Sequence, residues 1–307
     1  MSLRIERLSK TYANGTAALK SVSLAIPRGM FGLLGPNGAG KSTLMRILAT
    51  LQEPDSGSVT FTPSSGQAVD VLSDKTALRR VLGYLPQEFG LYKNVSAEDL
   101  LDHFAVLKGI VDKRQRREMV DRLLEQTNLA ADRRKHLGGY SGGMRQRFGI
   151  AVALLGAPEL IIVDEPTAGL DPAERLRFLN LLAELGQHAV VILSTHIVED
   201  VSELCSRMAI IDKGEIRLEA DPLAAIADLR GRVFMREVGR PELAAYNASH
   251  AVISTKLLAG RTVIRVLSDA APDGGFSPIE PTLEDVYFAA MRSRAEPELA
   301  AAVHASP

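Results

Sequence analysis

Gly35-Pro36-Asn37-Gly38-Ala39-Gly40-Lys41-Ser42 is the stretch on which the reading of this chain turns. It matches Gly-x-x-x-x-Gly-Lys-Ser/Thr, with an apolar run ahead of it (Phe31–Leu34) and a helical pattern behind it. In that pattern Leu44, Ile47, Leu48 and Leu51 fall at i, i+3, i+4 and i+7, one face of a helix. The glycines let the backbone turn so that several N–H groups point inward and cradle phosphate oxygens. The helix start adds the positive end of its dipole. Lys41 is placed to reach the β- and γ-phosphates of a nucleotide, and the Ser42 hydroxyl to bind Mg²⁺. An incidental Lys-Ser after a glycine-rich turn does not come with both flanks.

Working outward, short apolar runs read as strands: Leu3–Ile5, Val22–Ile26, Phe31–Leu34, Val81–Leu85, Leu160–Val163, Val190–Leu193 and Met208–Ile211. Helical patterns lie between several of them, which predicts an α/β fold, a P-loop NTPase core with a mixed sheet. Residues 92–155 contain no convincing strand and read as a helical insertion, opened by Ser96 with Asp99 three residues on as a cap. The core is expected to cover residues 1–220. The character changes around Asp221-Pro222. A strand-like run (Arg232–Val238), a hairpin-like pair (Val252–Leu257 and Thr262–Leu267) around Ala259-Gly260, and a short helix near Leu283–Met291 predict a small α+β accessory domain over 221–293. The Ala/Pro/Glu-rich tail, 294–307, is expected to be disordered.

A second chemical element is Leu160-Ile161-Ile162-Val163-Asp164-Glu165, a buried strand ending in two carboxylates. Asp164 suits the Mg²⁺ shell, and Glu165 stands where it can polarise an attacking water. A third is Tyr140-Ser141-Gly142-Gly143-Met144, just before an apolar helix face (Met144, Phe148, Ala151, Val152, Leu155). Ser-Gly-Gly at a helix start is a second anion site. An ordinary helix cap accounts for the serine but not for its company. One chain then carries two phosphate-binding features far apart in sequence, which a nucleotide held between two chains explains.

These motifs together make the chain resemble the nucleotide-binding subunit of ABC transporters, over about Leu3 to Ala220. By that resemblance Tyr12 stacks on adenine, and Gly35 to Gly40, Lys41, Ser42 and Thr43 hold the phosphates. Gln87 touches Mg²⁺ or the attacking water and senses a membrane partner. Ser141, Gly142 and Gly143 contact the γ-phosphate on the other subunit. Ala168-Gly169-Leu170-Asp171 lies at the dimer interface, and His196 is a switch histidine on the γ-phosphate. The resemblance therefore implies ATP and Mg²⁺ as ligands, Glu165, His196, Gln87 and Lys41 as catalytic residues, and Ser42, Gln87 and Asp164 at the metal. Each also has a plainer reading: Tyr12 as a turn aromatic, Gln87 as a solvated loop residue, His196 as a structural histidine. Asp171 is a good N-cap as well, with Pro172 after it and Glu174 three on. Tyr140 and Met144 depart from the commoner Leu-Ser-Gly-Gly-Gln. Together with Pro281-Thr-Leu-Glu-Asp-Val-Tyr287 they resemble the drug- and antibiotic-export branch.

Composition sets the limits. Among 307 residues, Lys+Arg number 36 and Asp+Glu 37, a balance that gives no electrostatic reason to expect nucleic acid. A single cysteine, Cys205, excludes an intrachain disulfide and fits a reducing compartment. The opening residues hold no apolar run, so no secretory signal is expected. The longest apolar stretch, Phe148 to Val163, is broken by Gly149, Gly156, Pro158 and Glu159, short of the roughly 18 uninterrupted residues of a membrane span. Together with the resemblance, this implies a peripheral protein on the cytoplasmic face of the cell membrane, with a separate polytopic subunit and a second ATP-binding subunit, an identical chain or else a relative of it, as partners. The rivals are a soluble ATPase of the same type that remodels a cytosolic complex, and a non-catalytic half-site partner. The run Lys113-Arg114-Gln115-Arg116-Arg117 reads as a solvated helix face.

Overall fold

The computed structural model describes residues 1–87, 90, 92–166 and 170–292. Contacts gather the chain into two compact units, Met1–Ile216 and one that begins at Arg217. The first opens with β1 (Ser2–Thr11), β2 (Ala17–Pro27), β3 (Gly29–Leu34), α1 (Lys41–Leu48), β4 (Ser56–Thr62), β5 (Val69–Asp70), α2 (Lys75–Val81) and β6 (Leu82–Leu85). The helices α3 (Ala97–Leu107), α4 (Lys113–Gln126) and α5 (Gly142–Ala153) follow. Then come β7 (Leu160–Asp164), α6 (Pro172–Gly186), β8 (Val190–Thr195), α7 (Val198–Leu204), β9 (Arg207–Asp212) and β10 (Glu215–Ala220). The division between the units falls inside β10.

One sheet is antiparallel, in the order β2-β1-β4-β5. The other has the order β10-β9-β3-β8-β7-β6, and its strands from β9 to β6 run parallel. β7 and β8 are buried at every position, as parallel strands covered on both faces must be. The apolar face of α1 (Leu44, Ile47, Leu48) joins Phe31, Leu33, Phe61, Ile162 and Ile192 in one core. Each such side chain contributes about 1.5–3 kcal/mol by leaving water.

Two boundaries differ from the sequence reading. Leu51 does not continue the face of α1 but is 63% exposed. Thr50, at φ +61°, turns the chain out of the helix. Thr50 N then donates to Ile47 O and Leu51 N to Arg46 O, the paired bonds of a Schellman stop with threonine in the usual glycine place. The Arg79 guanidinium holds that turn through Thr50 Oγ1 at 2.8 Å and Thr50 O at 3.2 Å. Val81 closes α2 rather than opening β6. Strands β4, β5 and β10 were not anticipated.

In the insertion, the Ser96 hydroxyl accepts from Asp99 N at 3.1 Å, the expected cap of α3, and Asp112 caps α4 by accepting from Gln115 N at 2.7 Å. Arg133 binds Glu98 at 2.9 and 3.1 Å and also Asp121, tying α3 to α4. The basic run on α4 is solvated except at Arg116, which reaches Asp102 and Val111 O, both at 2.8 Å. Its long side chain also reaches Ile110 O at 3.3 Å, so three fixed acceptors hold it, which the charge pattern alone conceals. The Lys108 ammonium donates to Arg79 O and Leu82 O, and burial pushes its pKa below the usual lysine value. Cys205, at the end of α7, is buried, and desolvation with a contribution from Asp200 pushes its thiol up to about 12.

The second unit holds α8 (Pro222–Ala227), β11 (Val233–Val238), α9 (Leu243–Ser249), β12 (Val252–Leu258), β13 (Arg261–Leu267), β14 (Ser277–Pro278) and α10 (Leu283–Arg292). Its sheet runs β12-β13-β11-β14. Ala259 and Gly260, at φ +48° and +83°, make the tight turn between β12 and β13, as a two-residue hairpin requires. Its core is Phe234, Val238, Ile264 and Val266. Asp285 is buried, accepts from Thr282 N and Oγ1 at 2.8 and 2.9 Å, and is bridged by Arg265 at 2.7 and 2.9 Å. That cluster is the physical content of the Pro281–Tyr287 motif. The tail expectation lies outside the described residues.

The insertion meets the parallel sheet where β6 passes α5. A Cβ at Gly83 would lie 2.2 Å from Ala153 O, so only glycine fits there. Gly83→Ala is expected to cost about 1–3 kcal/mol by overpacking. The check is urea unfolding, with a lowered midpoint at unchanged slope.

Candidate active site

The loop between β3 and α1 is shaped by backbone around it rather than by its own side chains. A Cβ at Gly35 would lie 2.3 Å from Ile211 O, and one at Gly40, φ +109°, would lie 2.4 Å from Ala18 O. Gly214 N donates to Ala39 O at 2.9 Å and Lys20 N to Gly214 O at 2.8 Å. β2 and the turn after β9 thereby press on the loop from two sides. No side chain caps α1, whose N-terminal N–H groups face the loop as helix starts do at anion sites.

Above this loop lies an open cleft of about 600 Å³. It is lined by Tyr12, Pro36, Asn37, Gly38, Gly40, Lys41, Ser42, Thr43, Gln87 and Glu165, all anticipated from the sequence. It is also lined by Lys20 and Lys213, which were not. No local motif marks those two lysines; strand pairing brings them in. The Tyr12 hydroxyl is bonded to Thr43 Oγ1 at 2.9 Å and donates to Gln52 Oε1 at 3.3 Å, which fixes the ring at the rim.

The charged centre is continuous. Lys41, 4% exposed, donates to Gly35 O at 2.7 Å and Pro36 O at 3.2 Å, and lies 3.5 Å from Glu165 Oε1. The other Glu165 oxygen is 2.8 Å from His196 Nδ1. Glu165 has a φ of +49°, and its N–H donates to Ser194 O at 2.9 Å. For a residue with a Cβ this left-handed backbone costs about 1–3 kcal/mol, and such strain gathers at functional sites. Asp164 lies beneath, 2% exposed. Burial raises its pKa, Ser194 and Ser42 hydroxyls oppose the rise, Glu165 adds to it and Lys41 opposes it. Asp164 Oδ1 is buried with no hydrogen-bond partner. A buried carboxylate oxygen of that kind, next to Ser42, fits a hard divalent cation.

Ser141, Gly142 and Gly143 do not line this cleft. Ser141 caps α5 by accepting from Met144 N at 3.2 Å, and both Ser141 and Gly142 are exposed. A Cβ at Gly143 would lie 2.0 Å from Glu174 Oε2. Asp171 caps α6 by accepting from Glu174 N at 2.8 Å. Ala168 and Gly169 lie outside the described residues. Tyr140 is buried, its hydroxyl donating to Asp132 O at 3.0 Å.

A phosphate-binding loop with its lysine, between a parallel strand and a helix, beside a buried strand ending in two carboxylates, defines a P-loop nucleoside triphosphatase. Residues 19–168 match the model of the ABC transporter family. The chain is 35% identical to an ABC transporter ATP-binding protein of Bacillus subtilis over 93% of its own length and 98% of that relative. It is 36% identical to the daunorubicin resistance ATP-binding protein of Streptomyces coeruleorubidus over 78% of this chain and 75% of that one. A dimeric ATP-binding cassette, solved in a post-hydrolysis state bound to ADP and Pi, superposes with a TM-score of 0.64 at 28% identity, over 71% of this chain and 98% of that one. The chain belongs to the ATP-binding proteins of ABC transporters; it is an ATPase subunit of that class. Proteins of this family dimerise and work with membrane components. Among the described residues, no helix is long and apolar enough to cross a membrane.

Lys41→Ala removes the cation from the cleft and leaves the glycine backbone in place. ATP affinity is expected to fall by about 10–100-fold, the worth of a charge-assisted hydrogen bond. Titration with a fluorescent ATP analogue checks it.

Proposed function

We propose that two copies of this chain close around two ATP molecules, each held by the phosphate loop of one copy and the Ser141 loop of the other, and so drive a separate membrane protein that exports a drug-, antibiotic- or lipid-like compound. The observation that carries this reading is the division of the site. Tyr12, Lys41, Gln87 and Glu165 share one cleft, while the anion-binding start of α5 stands outside it and exposed. The dimeric cassette and the daunorubicin resistance relative support the dimer and the export role in turn.

The chemistry follows from the charged centre. Adenine stacks on Tyr12, and the phosphates run along the loop from Gly35 to Thr43. A γ-phosphate oxygen competes with Glu165 for Lys41, because the ammonium sits between loop and carboxylate. Once Lys41 turns to the phosphate, Glu165 keeps His196 on one oxygen and has the other for the attacking water. Asp164 and Ser42, bordered by Gln87, would hold Mg²⁺, whose charge would neutralise the phosphate oxygens. His196 and the Ser141 loop of the second copy bind the γ-phosphate and favour the closed state, since only that state supplies the second half-site. Hydrolysis removes the shared ligand and the pair loosens. The insertion, about 92–155, and the segment after Gln87 carry this motion to the membrane partner at the cytoplasmic face. The unit over 221–293 is accessory to this cycle.

Glu165→Gln keeps the shape and removes the base. It is expected to bind ATP as the parent does, to lose at least about 100-fold in turnover, and to elute as an ATP-dependent dimer in gel filtration. A brisk steady-state rate in that variant rejects the role given to Glu165. For the transport partner, the tagged chain is recovered from native membranes in mild detergent. A stoichiometric polytopic protein is expected to co-purify; a cytosolic complex alone would replace transport with remodelling.

A further inference from the structure

The first turns of α5 grip the chain on both sides of the segment that leaves Glu165. Gln146 Nε2 donates to Pro166 O at 2.7 Å, across 20 residues of sequence. Pro166 directly follows Glu165, whose φ of +49° places it in a strained backbone. Next to Gln146, Arg147 Nη2 lies 3.4 Å from Glu174 Oε1 on the first turn of α6. Gly143, also on α5, leaves room for the same carboxylate, since a Cβ there would lie 2.0 Å from Glu174 Oε2. A strained conformation persists only where its surroundings over-determine it. Here the determinants of Glu165 are Ser194 O on its N–H, Lys41 and His196 on its carboxylate, and Gln146 on the next carbonyl.

We propose that Gln146 is a positioning residue that makes the geometry of Glu165 depend on the Ser141 loop of the same chain. This rests on the two-copy reading given above. In that reading a chain's Ser141 loop holds the nucleotide of the second copy, while its Glu165 serves its own. Ser141 is the cap of α5 and Gln146 lies on the next turn, so a phosphate seated on the cap bears on the helix that carries Gln146. Any shift of α5 reaches the Pro166 carbonyl and, through one peptide unit, Glu165. Occupancy of one nucleotide site therefore sets the readiness of the carboxylate in the other, and turnover at the two sites is coupled through each chain.

The test compares Gln146→Met, nearly the same shape without a donor, with Gln146→Lys, which keeps one, in the purified full-length chain. The readouts are kcat, KM and Hill coefficient for ATP, nucleotide affinity by titration, and the thermal midpoint. Gln146→Met is expected to lower kcat by about tenfold, the scale of one lost hydrogen bond, and to bring the Hill coefficient toward one. Nucleotide affinity and midpoint stay at parental values, and Gln146→Lys recovers most of the loss. Parental kcat and cooperativity in Gln146→Met overturn the proposal. So does a fall in affinity and midpoint alongside kcat, which would make the residue merely structural. Ser141→Arg separates the two readings. If it leaves turnover and dimerisation intact, the two-copy reading fails and takes this proposal with it; if it abolishes both while Gln146→Met does nothing, only this proposal fails.

Discussion

The close approach of backbone to backbone around the phosphate loop is the constraint on which the remaining structure depends. Gly40 and Gly214 both lie against the Ala18 carbonyl, and Gly35 lies against that of Ile211. The loop has few side chains of its own with which to hold a shape, so its shape is that of the space left by β2 and β9. Both sheets must be in place before that space exists: the antiparallel one brings Ala18 and, directly after β1, Tyr12, and the parallel one brings β3 and β9. This explains why so large a core serves so small a loop.

Around that fixed loop, charge is arranged as one connected set. Lys41, Glu165 and His196 form a chain of contacts, and Asp164 lies buried below them with an oxygen still to be satisfied. Charges removed from water need partners, and Lys41 and Glu165, both nearly buried, partner each other, while His196 meets Glu165 from the exposed side. In the proposed cycle an added anion draws on Lys41 and leaves Glu165 with a different neighbour. The strained backbone at Glu165 makes the same point by another route. The chain spends free energy to aim that carboxylate, and neighbouring elements must hold it there.

Much of this was legible in the residues, and the parts that were not share a cause. Gly35–Ser42 as a loop between strand and helix and Asp164-Glu165 at the end of a buried strand were legible because short-range geometry defines them, whereas Ser141, read first as an anion site, caps α5. The caps at Ser96 and Asp171 were legible for the same reason, a polar side chain answering an N–H three residues on. Lys20, Lys213 and Gln146 were not, since strand pairing and helix packing bring them to the site. Leu51 satisfied the helical period and still left the helix, because Thr50 adopted a turn that glycine more often takes. Arg116 looked like one more solvated cation in a basic run; only the placing of Asp102, Ile110 O and Val111 O distinguishes it. β4 was missed because only Val59 and Phe61 carry its inward pattern between serines and threonines.

The single thiol has a practical meaning. Cys205 is buried and holds its proton to about pH 12, so its nucleophilic form is scarce at neutral pH. The chain thus offers a chemically silent background. A cysteine introduced on the surface, for instance in place of an exposed residue of α4, takes a maleimide dye or a nitroxide alone, without first removing a native residue from the core. Distances between two copies, or between the two units of one copy, then become accessible to fluorescence transfer and to electron paramagnetic resonance in the otherwise native sequence.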